Sequence, residues 1–383
     1  MRKLLIMTLV LSLMGLTNGV PSLSASKPST WYRDQVAVVM WHHIHDLAQS
    51  GDTITTQLFK DQLKYLRDQG YQFITLQQFK AYLAGSSVPD NAVLVTFDDG
   101  YESFYENAYP TLKKMRIPAV NFVITKDLEN PLASYIPSLS KDEIIEMTHD
   151  TNFIDAQCHT NAMHTKTANG EAPLTTELTI NGKKESEQQY EARVLADTKT
   201  CIDDLRVLYP ATIDSLAYPF GIYDKLAATI LHEGGIDYAF TIVPEMTTRN
   251  VDRLQIPRIN AGAPWITPEG LHNTIIRHVV SVNHPFSDVN LKEVVEQLGG
   301  QLTQDKDGTI HMQYRGKAWT GKLNSNRVTG PVGTVNTLGK SIVLKNGHLS
   351  INLDDMEKLL GVTIVYNPNI KKFSTRRTPN AAK

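Results

Sequence analysis

Two adjacent carboxylates, Asp98 and Asp99, follow the apolar run Ala92–Phe97 and precede Gly100 in the stretch NAVLVTFDDGY. A short β-rich apolar run ended by glycine reads as a buried strand running into a tight turn. Two carboxylates at the mouth of such a strand repel each other and lose water, so a bound cation is the usual compensation; a solvated Asp-Asp-Gly turn is the alternative. Further on, His159 and His164 stand five residues apart. Ligands on one helix face sit four apart, so this pair must straddle a strand end and the turn after it. With Asp99 they make a His₂-carboxylate set, a common catalytic-zinc pattern that leaves positions open for water and substrate. Two histidines in a solvated loop are the competing reading. Three more, His42, His43 and His45, cluster after the apolar run Val36–Trp41.

The elements that must carry these groups alternate. Strand patterns are expected at 36–41, 73–76, 92–97, 119–124, 153–158, 215–218, 236–243 and 254–259. Helical spacing falls between them at 58–69, 78–83, 104–115, 141–148, 185–209 and 224–233. Eight strands alternating with helices argue for a parallel α/β arrangement, and the length suits a barrel better than an open sheet. In a barrel the strand C-terminal ends share one face, which lets His42, Asp98, Asp99, His159, His164 and Pro219-Phe220 converge.

At 383 residues the chain has room for two or three domains, and a net charge of −2 argues against a nucleic-acid partner. Forty-one percent hydrophobic residues allow a sizeable core. Arg2 and Lys3 precede the apolar run 4–16, with small residues at Ser24, Ala25 and Ser26, so residues 1–26 read as an export signal. No later stretch approaches the ~20 apolar residues needed to span a bilayer. The mature chain is therefore expected to be secreted, with cell-wall association open. Cys158 and Cys201 are the two cysteines. They are either one disulfide or two buried thiols. Cys158 is not expected as a ligand, because strand alternation turns it away from His159.

The residues also carry a resemblance. TFDDG at 96–100, HTNAMH at 159–164 and AYPFG at 217–221 resemble the leading motifs of the polysaccharide deacetylase family, carbohydrate esterase family 4. VVMWHHI, ESEQQYEAR and IPRI at 256–259 are similar to the exported subgroup acting on poly-N-acetylglucosamine. The resemblance spans about residues 36–262. Most of the family spaces the two histidines by four and has an arginine ahead of the proline-aromatic motif; here Leu216-Ala217-Tyr218 stand at that place.

The resemblance implies a distorted (β/α) barrel and metal-dependent amide hydrolysis. Asp99, His159 and His164 would hold Zn²⁺ or another divalent ion, which acidifies water and polarises the acetamide carbonyl. Asp98 is the implied general base and the Phe220 backbone N–H the implied oxyanion donor. For the general acid, His42 is preferred over His272 and His278, with His43 as its packing neighbour and a nearby carboxylate or Asp46 keeping it protonated. Arg258 either orients Asp98 in place of the absent arginine or makes a structural salt bridge.

From about Ser287 the character changes. VNLKEVVEQLGGQLTQD at 289–305 is repeated as INLDDMEKLLGVTIVYN at 351–367, an offset of 62 residues. Each unit reads as a short amphipathic helix, a glycine cap, a strand and a turn. The pattern resembles the copper-amine-oxidase N-terminal-like domain, which implies wall or glycan attachment and no copper. The basic end, 371–383, reads as a frayed terminus or a contact for anionic wall polymer. The expected organisation is signal 1–26, catalytic domain 27–285 and repeat domain 286–383. The expected function is deacetylation of an N-acetylglucosamine polysaccharide, foremost the β-1,6-linked polymer. Peptidoglycan or chitin oligosaccharide is the alternative substrate, and a catalytically silent glycan-binding protein is the alternative class.

Overall fold

The computed structural model describes residues 29–281 and 286–376. The export-signal reading of 1–26, the junction at 285 and the end of the basic tail, 377–383, lie outside them.

The eight expected strands form one parallel sheet. In chain order they are β1 (Val36–Trp41), β2 (Gln72–Phe73), β3 (Ala92–Phe97), β4 (Ala119–Val123), β5 (Ile154–Cys158), β6 (Ser215–Ala217), β7 (Tyr238–Phe240) and β8 (Ile259–Asn260). The spatial order is β7-β6-β5-β4-β3-β1-β8, with β2 on β3. Both ends of the sheet meet through one segment. Ile256 bridges to Phe240 of β7, and three residues later Ile259 pairs with Val39 of β1. The result is a distorted barrel.

Period-two alternation divides the core. Val36, Val38, Leu94, Val120, Phe122, Ala217 and Phe240 fill the interior. The opposite faces, including Val39, Trp41, Val95 and Phe97, pack under the helices. All residues of β1 and β3 are buried on both faces, as parallel strands in a barrel must be. Burying each large apolar side chain contributes about 1.5–3 kcal/mol, so these two central strands are a rigid base for what their ends carry.

Several boundaries differ from the sequence reading, each for a local reason. Residues 73–76 are not one strand, because Thr75 caps helix α2 (Leu76–Leu83) in a capping box with Gln78. The helix expected at 104–115 opens with a π-helical turn, Phe104–Ala108, before Tyr109–Met115, where Pro110 removes a backbone donor. The strand expected at 254–259 contributes only its end, since Pro257 cannot donate to a ladder. The strand expected at 236–243 shrinks to β7, beyond which Thr241 N bonds Ile256 O instead.

Helix α1 (Thr56–Asp68) packs on helix α7 (Pro268–His278), and the buried Gln62 pins the loop between β8 and α7. Its amide accepts from Trp41 Nε1 at 2.9 Å and donates to the carbonyls of Ala261 and Ile266 at 3.0 and 2.8 Å. After α3 (Tyr109–Met115), helices α4 (Lys141–Asp150) and α5 (Glu187–Arg206) cover β5, and α6 (Lys225–Glu233) packs on α5. A disulfide joins Cys158 to Cys201, which settles the two open readings of the cysteines.

A second core, including Val289, Val294, Trp319, Ile351, Met356 and Phe373, lies within residues 289–373. The repeat is real in three dimensions and larger than its sequence trace. In each unit a short strand leads into a helix, Leu291–Gln297 in one and Leu353–Leu360 in the other. Asn290 and Asn352, equivalent in the repeat, are the two N-caps and accept from Glu293 N and Asp355 N. The leading strands pair antiparallel, Val289 opposite Ile351. This unit also touches the barrel. Asn367 Nδ2 donates to the carbonyls of Ile276 and Arg277 at 2.7 and 3.0 Å, Ser281 N donates to Tyr366 O at 2.6 Å, and Arg376 pairs with Glu245 at 3.2 Å.

Candidate metal centre and catalytic cleft

The C-terminal ends of the barrel strands enclose a cleft of about 370 Å³ lined by Met40, His42, Asp98, Asp99, His159, His164, Tyr218 and Phe220, with Asp52, Gly221, Ile242 and Asn260 completing it. Three strand ends supply four of its titratable groups: β1 delivers His42, β3 delivers Asp98 and Asp99, and β5 delivers His159. At these ends Asp99, Thr160 and Phe220 have φ of +73°, +68° and +59°. For non-glycine residues the left-handed region costs roughly 1–2 kcal/mol each, and here it turns the chain sharply enough to aim consecutive side chains into one space. The glycines that follow two of them are fixed by space as well. A Cβ on Gly221 would lie 2.3 Å from Ile242, and one on Gly100 would lie 3.0 Å from Val123.

Asp99 Oδ1 is buried and has no hydrogen-bond partner. The Nε2 atoms of His159 and His164 each lie 3.3 Å from that oxygen. Two donors bound at about 2.0–2.1 Å to a tetrahedral ion stand about 3.3 Å apart, so the spacing fits a small divalent cation. His159 Nδ1 donates to Ala217 O at 2.8 Å, which leaves the Nε2 lone pair facing inward, as a ligand requires. Among the described residues this is the one group of three such side chains with donor atoms close enough to share a metal, all within 4.8 Å.

Electrostatics agree with a site that expects a cation. Burial lowers the His164 pKa to about 4, with repulsion from His159 adding to it, so its nitrogen is free to ligate near neutral pH. Burial also opposes charge on His159, but the facing carboxylates Asp99 and Asp98 outweigh it and raise its pKa. For Asp99 burial raises the pKa, yet the facing histidines bring it below the ordinary carboxylate value. His164 is further braced by Phe220, whose ring stacks on it at 4.4 Å.

Asp98 is held differently. Both of its oxygens accept from Arg258, Nη1 to Oδ1 and Nη2 to Oδ2, each at 2.6 Å. Arg258 is fully buried and anchored by donating from Nε to Thr241 O at 2.9 Å. Burial pushes the Asp98 pKa up, but the guanidinium outweighs it and the net shift is downward.

His42 Nε2 sits 4.0 Å from Asp98 Oδ2, and its Nδ1 is buried without a partner. The carboxylate facing His42 is thus Asp98. Asp46 instead accepts from Thr56 N at the start of α1. His43 is not the packing neighbour expected: strand alternation turns it toward Ser103 and Gln49, at 2.7 and 2.5 Å, with its ring stacked on His45. His272 bonds Tyr71 and packs on Trp31, and His278 bonds Thr274 O, so neither lines the cleft. Beyond His164 the surface continues into a second hollow of about 390 Å³ lined by Tyr101, Ile124, Asp127, Tyr135 and Asn161. A larger open groove of about 1010 Å³ lies in the second unit, lined by Glu293, Glu296, Leu344 and His348, and shares no lining residue with the cleft.

Sequence reasoning missed three contributors: the left-handed residues, the Asp52 side of the cleft, and Asp197 of α5. Asp197 accepts from Asn161 N and Ala162 N, both at 2.8 Å, inside the turn between the two histidines. A glycine after Asp99 and after Phe220 is the only local sign of the first, and the other two leave none.

The family model described as Polysaccharide deacetylase matches residues 85–239, which include Asp98, Asp99, His159, His164 and Phe220. A poly-beta-1,6-N-acetyl-D-glucosamine N-deacetylase of Staphylococcus epidermidis is 31% identical over 208 residues, covering 54% of this chain and 67% of the relative. The chain belongs to the polysaccharide deacetylase family. The structure of IcaB from Ammonifex degensii is similar at 28% identity and a TM-score of 0.53, covering 63% of this chain and 97% of that one. A de-N-acetylase from Aggregatibacter actinomycetemcomitans, at 20% identity and TM-score 0.56, covers 63% of this chain and all of its own, and shares the fold. The protein is a hydrolytic deacetylase on the (β/α) barrel of its family, with an extra strand-rich C-terminal unit. Metal dependence is general in that family, and the Asp-His-His group is where this deacetylase could bind one. The family model's match, residues 85–239, begins after His42 and ends before Arg258.

Proposed function

We propose that this deacetylase removes acetyl groups from an N-acetylglucosamine polysaccharide, with the β-1,6-linked polymer as its substrate. The observation that carries this reading is one cleft holding a paired, buried carboxylate, Asp98, beside a three-donor cation site, Asp99, His159 and His164. The named relative from Staphylococcus epidermidis supports the choice of glycan, and the hollow that continues past His164 supports a polymer over a small amide.

Asp99, His159 and His164 hold the ion. A divalent cation there, with Zn²⁺ favoured by the two imidazoles and one carboxylate, supplies Lewis-acid polarisation of the acetamide and acidification of water. Asp98, kept ionised by Arg258, takes the proton of the attacking water. Phe220 offers its backbone N–H to the developing oxyanion; the turn's own bonds are made by the N–H groups of Gly221 and Ile222. His42 protonates the glucosamine nitrogen as the C–N bond breaks, so acetate and a free amine leave. Arg258 positions Asp98. No helix among the described residues is long and apolar enough to cross a membrane. Export is supported by the charged-then-apolar N-terminal sequence and by the disulfide, which persists in oxidising compartments. The unit at 286–376 is proposed to attach the enzyme to wall or glycan.

Acetate release from the β-1,6 polymer, chitin oligosaccharide and peptidoglycan, with and without chelator, tests the reading. The expected result is chelator-sensitive release, fastest on the β-1,6 polymer. His164→Ala should lose ion and turnover together, whereas Asp98→Asn should keep the ion and lose turnover. Glycan binding with no acetate release from any of the three would establish the silent binding protein instead.

A further inference from the structure

The turn between the two histidines is gripped from one face of one helix. Thr160 to Met163 carry the chain from His159 to His164. Such a turn leaves backbone donors with no partner in the strand ladder. Three residues of α5, spaced one turn apart at 193, 197 and 201, meet it in order. Cys201 is bonded to Cys158, the residue immediately before His159. Asp197 accepts from Asn161 N and Ala162 N through its two oxygens, both at 2.8 Å. Arg193 Nη1 lies 3.4 Å from Met163 Sδ, immediately before His164. Arg193 is itself fixed, donating to Glu185 at 2.9 Å, to Pro173 O at 3.1 Å and to Thr176 O at 2.9 Å. From the other side, Thr125 N and Lys126 N donate to the carbonyls of Thr160 and Asn161 at 3.3 and 3.1 Å.

We propose that Arg193, Asp197 and Cys201 form a clamp on α5 that sets the separation of the His159 and His164 imidazoles, and with it the site's affinity for its divalent cation. Asp197 is the positioning residue at its centre. The proposal rests on the reading of Asp99, His159 and His164 as ligands. Its physical basis is preorganisation. His159 is held by the end of β5, but the backbone that carries His164 toward Asp99 is set by the conformation of the turn, with the Phe220 ring bracing the imidazole itself. A carboxylate that accepts two successive N–H groups is a charge-assisted, two-point restraint on that conformation. Without it the turn keeps its length but not its shape, and the ion must order the second imidazole as it binds. Supporting groups behind metal ligands typically alter affinity by about 10–100-fold when removed. The disulfide adds a covalent stop one residue before the first ligand, so the clamp is complete only in an oxidising compartment.

The test is Zn²⁺ affinity of the full chain, measured by competition with a chromophoric chelator, alongside the melting temperature of the metal-free protein and kcat at saturating Zn²⁺. Asp197→Ala should weaken Zn²⁺ binding by about 10–100-fold, with kcat recovered by added Zn²⁺. Asp197→Asn, which keeps the size and one acceptor, should fall between it and the parent. Affinity within twofold of the parent, with only the metal-free melting temperature lowered, would show that Asp197 merely packs the helix and would overturn the proposal. Should neither Asp197 variant fold, the same affinity measured on Cys158→Ser/Cys201→Ser decides: weakened binding supports the clamp and unchanged binding rejects it. His164→Ala separates the two layers. If it keeps Zn²⁺ as the parent does, the ligand reading fails; if it loses Zn²⁺ while the Asp197 variants bind like the parent, the clamp alone fails.

Discussion

Replacing Arg258 by methionine tests the pairing on which Asp98, the proposed base, depends. Arg258 is fully buried and Asp98 nearly so, and the two are joined by parallel contacts of 2.6 Å. Methionine fills much of the space but supplies no charge, so Asp98 stays buried with one partner gone. Breaking a buried pair from one side costs about 3–5 kcal/mol, because the remaining charge is uncompensated. For a domain of 150–250 residues that lowers Tm by roughly 6–20 °C. The pH dependence has a definite sign. In the parent the folded pKa of Asp98 is depressed, so its contribution to stability is present above the unfolded carboxylate value and is lost as pH falls through the folded one. In the variant burial dominates and raises the pKa, so ionising Asp98 opposes folding and the stability gap to the parent widens as pH rises. Activity should respond in the same direction, with the acid limb of kcat/KM moving to higher pH because the base must be ionised. Arg258→Lys keeps the charge but not the fork, and should lie between. The assays are denaturant unfolding at several pH values and a kcat/KM profile. A stability loss under 1 kcal/mol together with an unmoved acid limb would refute the argument that Arg258 governs Asp98.

His42→Ala should retain Zn²⁺ and lose about 10²–10⁴ in kcat on the glycan, but far less on an activated aryl acetate, whose leaving group needs no proton; equal losses on both would assign His42 to binding or structure. Cys158→Ser/Cys201→Ser opens a loop closed across a sequence separation of 43 and should cost about 4 kcal/mol in denaturant unfolding; a loss under 1 kcal/mol would mean that the reduced chain already holds α5 on β5. A chain ending at residue 281 keeps the whole cleft but loses the bonds that Tyr366, Asn367 and Arg376 make to the barrel, so it should release acetate from soluble oligosaccharide at near the parent rate with a lowered Tm, and inactivity would show that the second unit is needed for the cleft itself.

What the sequence by itself determined is local in origin. Strand-to-turn signals at Asp98-Asp99-Gly100, at His159 and at Pro219-Phe220-Gly221 mark three strand ends, and period-two and helical patterns place eight strands in parallel. Convergence of those ends then follows from handed βα connections alone, without knowledge of any contact. The 62-residue repeat was legible for the same reason, since each unit is one supersecondary element with its own asparagine cap. What only the tertiary structure decided involves partners remote in the chain. Arg258 meets Asp98 across 160 positions because the segment 256–260 closes the ring between β7 and β1. His42 lines the cleft while His272 and His278 do not, because α7 lies on the outside of the barrel against α1. Boundaries moved wherever Pro110, Pro257 or the Thr75 cap overrode an apolar pattern. Asp197 could not be read from its neighbours, since an acidic residue on a helix that is polar on most sides becomes a brace for the histidine turn only when α5 is laid over β5 and fastened there by Cys158 and Cys201.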